Sequence, residues 1–178
     1  REEALVDGQY SMRVYLRALT HSWTQYAEES ERGFHDHDRF CYHLPFNKMS
    51  QKGHLHLARL TGHGHRPVEE LVAQITDGLN YSRVTGNCYT ASLYLALTSL
   101  LETSREDLAG KRIGMFSYGS GCMAAFFSGV VLRGYRDHLQ TRRHADMLMN
   151  RVELDFEEYE AFYRHHLPTD GSDYRTPR

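Results

Sequence analysis

Cysteine is scarce in this sequence: 178 residues hold only Cys41, Cys88 and Cys122, far apart and without a C-x-x-C spacing. The odd count offers no disulfide framework, and a reduced, intracellular setting is the simplest reading. An excess of one charge is also missing, since 21 Lys and Arg face 23 Asp and Glu. That balance argues against nucleic acid as the main partner, while leaving room for a local basic patch facing a phosphate. Long apolar runs are absent too. The longest weakly polar stretch, residues 122–132, has about half of the roughly 20 residues that a membrane span needs. Residues 1–8 lack the apolar core of a signal peptide. The chain opens on Arg1-Glu2-Glu3 without a methionine, which reads as a fragment or a processed piece. The expectation is a cytoplasmic protein with neither a membrane nor a nucleic-acid partner.

What is present suffices for a core: 40% of the residues are hydrophobic and 12% aromatic. Ser11 can cap a helix reaching to about Glu29, with Val14, Leu16, Leu19, Trp23 and Tyr26 as its apolar stripe. Residues 39–44 alternate and predict a strand, with Phe40, Tyr42 and Leu44 on one face and Cys41 and His43 on the other. Pro45 ends it and suits the first turn of a helix over 46–60. A further helix follows at 68–76. Residues 80–87 read as irregular. The helix over 89–102 is weakly polar on every side and is expected to be buried all round. Residues 112–117 and 122–132 read as an antiparallel pair divided by a glycine turn. A helix is expected around 157–166. The mixture argues α/β. There is no internal repeat and no low-complexity segment.

Several residues carry possible chemistry. His43 sits where a strand ends, the place where sites collect in α/β folds, and an imidazole there can donate to a carbonyl or move a proton near neutral pH. It can equally be a core histidine bonded to backbone. Lys48 and Lys52 are four apart and share a helix face, which suits a phosphate-bearing tail or simply solvates the helix. Asn87 either caps the following helix or turns its amide toward a substrate carbonyl. Gly119-Ser120-Gly121 is a hairpin turn or a ligand-approach loop. It is neither a P-loop nor a nucleophile elbow, because both spacings are wrong. The twelve histidines include three H-x-H pairs, 35/37, 54/56 and 63/65. The middle pair does not share a helix face, and no HExxH or C-x-x-C accompanies them, so no metal is expected.

Four stretches in this order resemble the 3-hydroxy-3-methylglutaryl-CoA synthase family. They are Val6-Asp7-Gly8 with Ser11 and Tyr15-Leu16; His43-Leu44-Pro45-Phe46 with Lys48 and Lys52; Gly86-Asn87-Cys88-Tyr89-Thr90-Ala91-Ser92-Leu93-Tyr94; and Gly110-Lys111-Arg112-Ile113-Gly114 with Phe116 through Gly121. The resemblance covers roughly residues 4–140 and is nearer the bacterial or polyketide-associated branch. It implies the C-terminal half of a thiolase-like fold, a mixed sheet with a buried helix, over residues 1–168, then a tail at 169–178.

The resemblance also implies an acyltransferase that condenses an acetyl thioester with acetoacetyl-CoA and hydrolyses the adduct to 3-hydroxy-3-methylglutaryl-CoA and free CoA, in the mevalonate pathway of isoprenoid biosynthesis. His43 matches the family's catalytic histidine, Asn87 the asparagine at the acyl group, and Ser120 a substrate-positioning serine. Tyr89 matches a tyrosine of the acyl pocket, and Lys48 and Lys52 the lysines near the CoA entrance. No cofactor is implied beyond the CoA thioester substrates, acetyl-CoA and acetoacetyl-CoA. The family's nucleophilic cysteine and general-base glutamate have no matching positions here. The implied partner is therefore an N-terminal half carrying them, with the complete enzyme a homodimer. Two other outcomes stay open: a carrier-protein-dependent synthase of polyketide β-branching, and a non-catalytic half-domain that completes another chain.

Overall fold

Asp7, rather than the expected Ser11, opens the first helix. Its Oδ1 accepts from the N–H groups of Gln9 and Tyr10 at 3.0 and 2.9 Å, so α1 starts earlier than expected and runs Gly8–Ser30. Tyr15, Leu19, Ser22 and Trp23 recur at helical spacing and form its buried stripe. The helix stops where Glu31 turns left-handed, at φ 55°. The computed structural model describes residues 7–165 and 169–171, with Ser120 described by its backbone alone. Val6, the Ser120 hydroxyl, His166 and most of the expected tail, 172–178, lie outside the described residues.

Three strands form one mixed sheet in the order β1-β2-β3. β1 is Arg39–Tyr42, β2 is Arg112–Tyr118 and β3 is Ala124–Val130. β2 and β3 pair antiparallel across the glycine turn, as expected, while β1 lies parallel to β2. β1 ends two residues earlier than the expected strand because Pro45 has no N–H to continue a ladder. The expected alternation holds, yet both faces are covered. Phe40 and Tyr42 meet α2 (Asn47–Leu60) through His54, with ring centroids 4.8 and 5.8 Å apart. Cys41 faces the other way, toward Gly78 in the turn beneath α5 (Ser92–Thr103). Opposite Phe40 in the register stands Gly114, where a Cβ would come within 2.8 Å of the Phe40 ring. The aromatic core of β1 therefore needs a bare backbone on β2.

Between β1 and β2 the chain makes α2, then α3 (Val68–Thr76) where it was expected, then a tight turn at Asp77–Leu79 and the single turn α4 (Ser82–Thr85). α4 falls inside the stretch 80–87 that the sequence reading left irregular. α5 starts at Ser92 because Tyr89, at φ 50°, begins a separate 3-10 turn, Tyr89–Ala91. Only one side of α5 is buried, through Ser92, Leu93, Ala96, Ser99 and Leu100. Tyr94 is exposed and Leu95, Leu97, Thr98 and Leu101 are half-buried, so the expectation of burial all round is not met among the described residues.

The chain divides into two units, Arg1–Thr141 and Arg142–Arg178. The elements above make the first. At and beyond the boundary lie α6 (Thr141–Met149), which no sequence signal announced, and α7 (Phe156–Tyr163), shorter than the expected 157–166. A reciprocal cap starts α7: Asp155 Oδ1 accepts from the Glu158 N–H at 2.8 Å, and Glu158 Oε2 from the Asp155 N–H at 3.0 Å.

Candidate active site

His43 follows the last residue of β1 and is fixed through its backbone in two directions. Its N–H donates to the Phe116 carbonyl at 2.7 Å, which ties it to β2. Its carbonyl accepts from the buried Tyr15 hydroxyl at 3.0 Å, which ties it to α1. The imidazole lies 6.0 Å, centroid to centroid, from the Tyr118 ring. Nδ1 is buried and meets no hydrogen-bond partner among the described residues. Burial holds the imidazole pKa below its ordinary value, so the neutral ring is the stable form near pH 7. A neutral imidazole still carries one N–H, which it can offer to an oxygen gaining negative charge.

Two residues beyond Tyr118, the backbone turns sharply. Gly121 and Cys122 both take positive φ, 76° and 59°, and the Gly119 N–H returns to the Met123 carbonyl at 2.9 Å. This turn carries Ser120, so the same strand that packs against His43 leads directly into the predicted serine loop.

Asn87 lies on an exposed stretch before α5. Its Oδ1 accepts from the Tyr89 N–H at 2.8 Å and from the Ser92 hydroxyl at 3.3 Å. These bonds make a local turn and do not cap α5, which begins without a side-chain cap, so the capping alternative of the sequence reading is not met. The amide nitrogen of Asn87 lies outside these bonds. Tyr89 is 77% exposed. Lys48 and Lys52 stand exposed on one face of α2, and the Lys52 ammonium donates to Met12 Sδ at 3.6 Å. From Asn47 to Leu60 that helix contains no acidic residue. Among the described residues, no hydrogen bond or ring contact joins Asn87, Tyr89, Lys48 or Lys52 to His43. A cleft of about 840 Å³ runs along α1 beside the serine turn, lined by Tyr10, Val14, Arg17, His21 and Cys122 among others. Among the described residues, none of His43, Asn87, Tyr89, Lys48 and Lys52 lines it. Tyr15 and Tyr118, which touch His43, carried no role in the sequence reading; only the Tyr15-Leu16 motif pointed at the first.

The histidine pairs have other duties. His54 is fully buried, with Nδ1 2.9 Å from the Tyr42 hydroxyl and Nε2 3.3 Å from Gln74 Oε1. His37 Nδ1 lies 3.0 Å from the Gly33 carbonyl, and its Nε2 lies 2.9 Å from the Tyr26 hydroxyl. His56 Nε2 meets the Thr20 hydroxyl at 2.8 Å. Among the described residues no three metal-ligating side chains cluster, and no helix is long and apolar enough to cross a membrane. Cys41, Cys88 and Cys122 are all free thiols. Burial pushes the Cys41 thiol up to about 12, which makes it inert as a nucleophile.

Residues 65–166, more than half of the chain, match the family described as hydroxymethylglutaryl-coenzyme A synthase C terminal. The chain belongs to that family. It is 40% identical over 166 residues to the hydroxymethylglutaryl-CoA synthase of Enterococcus faecalis, covering 93% of this chain and 43% of the relative. It is 32% identical over 163 residues to a polyketide-biosynthesis 3-hydroxy-3-methylglutaryl-ACP synthase of Bacillus subtilis, covering 89% of this chain and 38% of the relative. A crystal structure of an HMG-CoA synthase complexed with CoA superposes with a TM-score of 0.80 at 35% identity, covering 97% of this chain and 45% of that one. The chain thus spans less than half the length of the relatives it matches, and its fold is that of one half of a thiolase-like hydroxymethylglutaryl-CoA synthase.

Proposed function

We propose that the protein containing this chain condenses an acetyl thioester with acetoacetyl-CoA and, with one water, releases 3-hydroxy-3-methylglutaryl-CoA and free CoA. In this reading a cysteine outside the described chain takes the acetyl group, and CoA leaves. A glutamate from the same N-terminal half removes a proton from the acetyl methyl. The resulting carbon attacks the ketone of acetoacetyl-CoA, and water then cleaves the enzyme thioester. Negative charge grows on the ketone oxygen, and His43 supplies a donor to it. Asn87 orients a thioester carbonyl, Ser120 positions the acyl group and Tyr89 borders it. Lys48 and Lys52 receive the phosphate-bearing end of CoA. Acid–base and nucleophilic steps suffice, so the reaction asks for no metal or redox cofactor. The complete enzyme acts as a cytoplasmic homodimer at the head of isoprenoid biosynthesis, in the mevalonate pathway.

The observation that carries this reading is His43. Its match to the family motif coincides with a strand-end position, a backbone held from two sides and an imidazole kept neutral by burial. His43→Ala in the complete enzyme is expected to cut condensation about 10²-fold or more, the usual scale for a lost donor or acid. Acetyl transfer to the cysteine, read as the acetyl-enzyme burst, should change little. Equal small losses in both steps would remove His43 from this role.

The Bacillus relative supports a second reading, in which the acyl group arrives on a carrier protein. Comparing kcat/KM for acetoacetyl-CoA and an acetoacetyl carrier protein separates the two. A preference for CoA supports the first reading, and a preference of about tenfold or more for the carrier supports the second.

A further inference from the structure

Tyr15 belongs to a motif for which neither the resemblance nor the mechanism above supplies a role. In the fold it is a fully buried strut. Its hydroxyl donates to the His43 carbonyl at 3.0 Å. Its ring meets Phe116 edge-on at 5.2 Å and Tyr118 at 5.4 Å, both on β2, and Tyr118 in turn faces the His43 ring. On the α2 side, room for that ring is left by Gly53, where a Cβ would stand 3.2 Å from Tyr15 Cε1 and 3.7 Å from its Oη. One side chain therefore touches the residue that holds the histidine, the strand that leads into the serine turn, and the helix that carries both lysines.

His43 makes this contact consequential. Nδ1 of its imidazole has no hydrogen-bond partner among the described residues, so no such bond aims the ring from that side. Its direction is set by backbone and packing instead, and Tyr15 touches both. We propose that Tyr15 is a positioning residue for His43: its hydroxyl fixes the strand-end carbonyl, and its ring sets the spacing between the histidine and the turn that carries Ser120. This rests on the reading of His43 given above. A shift of about 1 Å in a reacting group can cost 10²-fold in rate. Loss of a fixing hydrogen bond should therefore act on the condensation step, in which His43 takes part, and not on acetyl transfer.

The test is Tyr15→Phe in the complete enzyme, which removes one oxygen and keeps the ring. The expected result is a fall of about tenfold or more in condensation kcat, with KM for acetoacetyl-CoA within about twofold and the acetyl-enzyme burst unchanged. A purely structural role would lower burst and condensation together, through loss of active protein, and that outcome overturns the proposal. Gly53→Ala gives a second route if Tyr15→Phe does not fold. It crowds the ring without removing the hydroxyl, and alanine favours the helix interior. Condensation should fall while the thermal midpoint holds or rises; unchanged condensation in this variant overturns the proposal as well. Condensation lost in His43→Ala but intact in Tyr15→Phe rejects positioning alone. Condensation intact in His43→Ala rejects the reading of His43, and the role of Tyr15 with it.

Discussion

The surroundings of His43 and of Asn87 differ in kind. His43 sits inside a layer of rings, with Tyr15, Phe116 and Tyr118 around it and both backbone groups bonded within this chain. Asn87 sits on an open edge, beside a Tyr89 that is exposed, on a stretch held by its own local bonds. One side of the proposed site is self-supporting, and the other is a rim. Geometry on the packed side is a property of the fold, so cutting away a ring there should appear in stability. Damage on the rim should appear mainly in function.

The sharpest way to break that contrast is Phe116→Ala. Phe116 is fully buried and its backbone holds His43, so the variant should lose about 3–5 kcal/mol, the scale for a buried Phe cut to Ala. Tyr89→Ala should stay within about 0.5 kcal/mol. Urea unfolding of both variants checks this, and similar losses would erase the distinction between the two sides.

A second effect is acid lability on the packed side. Burial pushes the His54 pKa down to about 4, from an ordinary 6.5. The unfolded chain then holds more protons than the folded one between those values. Stability should fall as pH drops through that window, by an amount on the order of 3 kcal/mol at its foot. His37, His43 and His56 are lowered in the same direction and add to the slope. His54→Gln should flatten the curve between pH 6.5 and 4, measured as the urea midpoint against pH; an unchanged slope would clear His54 of the role.

The smallest effect on stability belongs to the rim. Asn87→Ala removes an acceptor for the Tyr89 N–H and the Ser92 hydroxyl and should cost about 1 kcal/mol, the net scale of a lost hydrogen bond. If Asn87 also orients an acyl group, the rate of condensation should fall well beyond what that loss of folded protein explains. Activity that merely tracks the folded fraction would leave Asn87 as a turn residue.

Local signals in the sequence made part of this legible. α3 falls where its apolar spacing put it, and the glycine turn between β2 and β3 was visible because both flanking runs are apolar. Errors arose where two local choices competed. Asp7 and Ser11 are both good caps, and Asp7 wins because its carboxylate reaches two N–H groups. Tyr89 adopts a left-handed backbone that its residue type does not advertise, and it delays α5. Non-local facts were out of reach. The parallel pairing of Arg39 with Ile113, the burial of β1 on both faces and the bond from Tyr15 to His43 join segments that no periodicity relates. Within the site, the strand-end placement of His43 was readable, while the tyrosines around it became visible only once the layers were stacked.

The central claim is that His43, Asn87 and Ser120 meet around one acyl group. A crystal structure of the complete enzyme with acetoacetyl-CoA bound tests it most directly. The imidazole of His43, the amide of Asn87 and the hydroxyl of Ser120 are expected all within about 3.5 Å of oxygens on the same acyl chain. An acyl chain bound elsewhere, with these three side chains on separate surfaces, would contradict it.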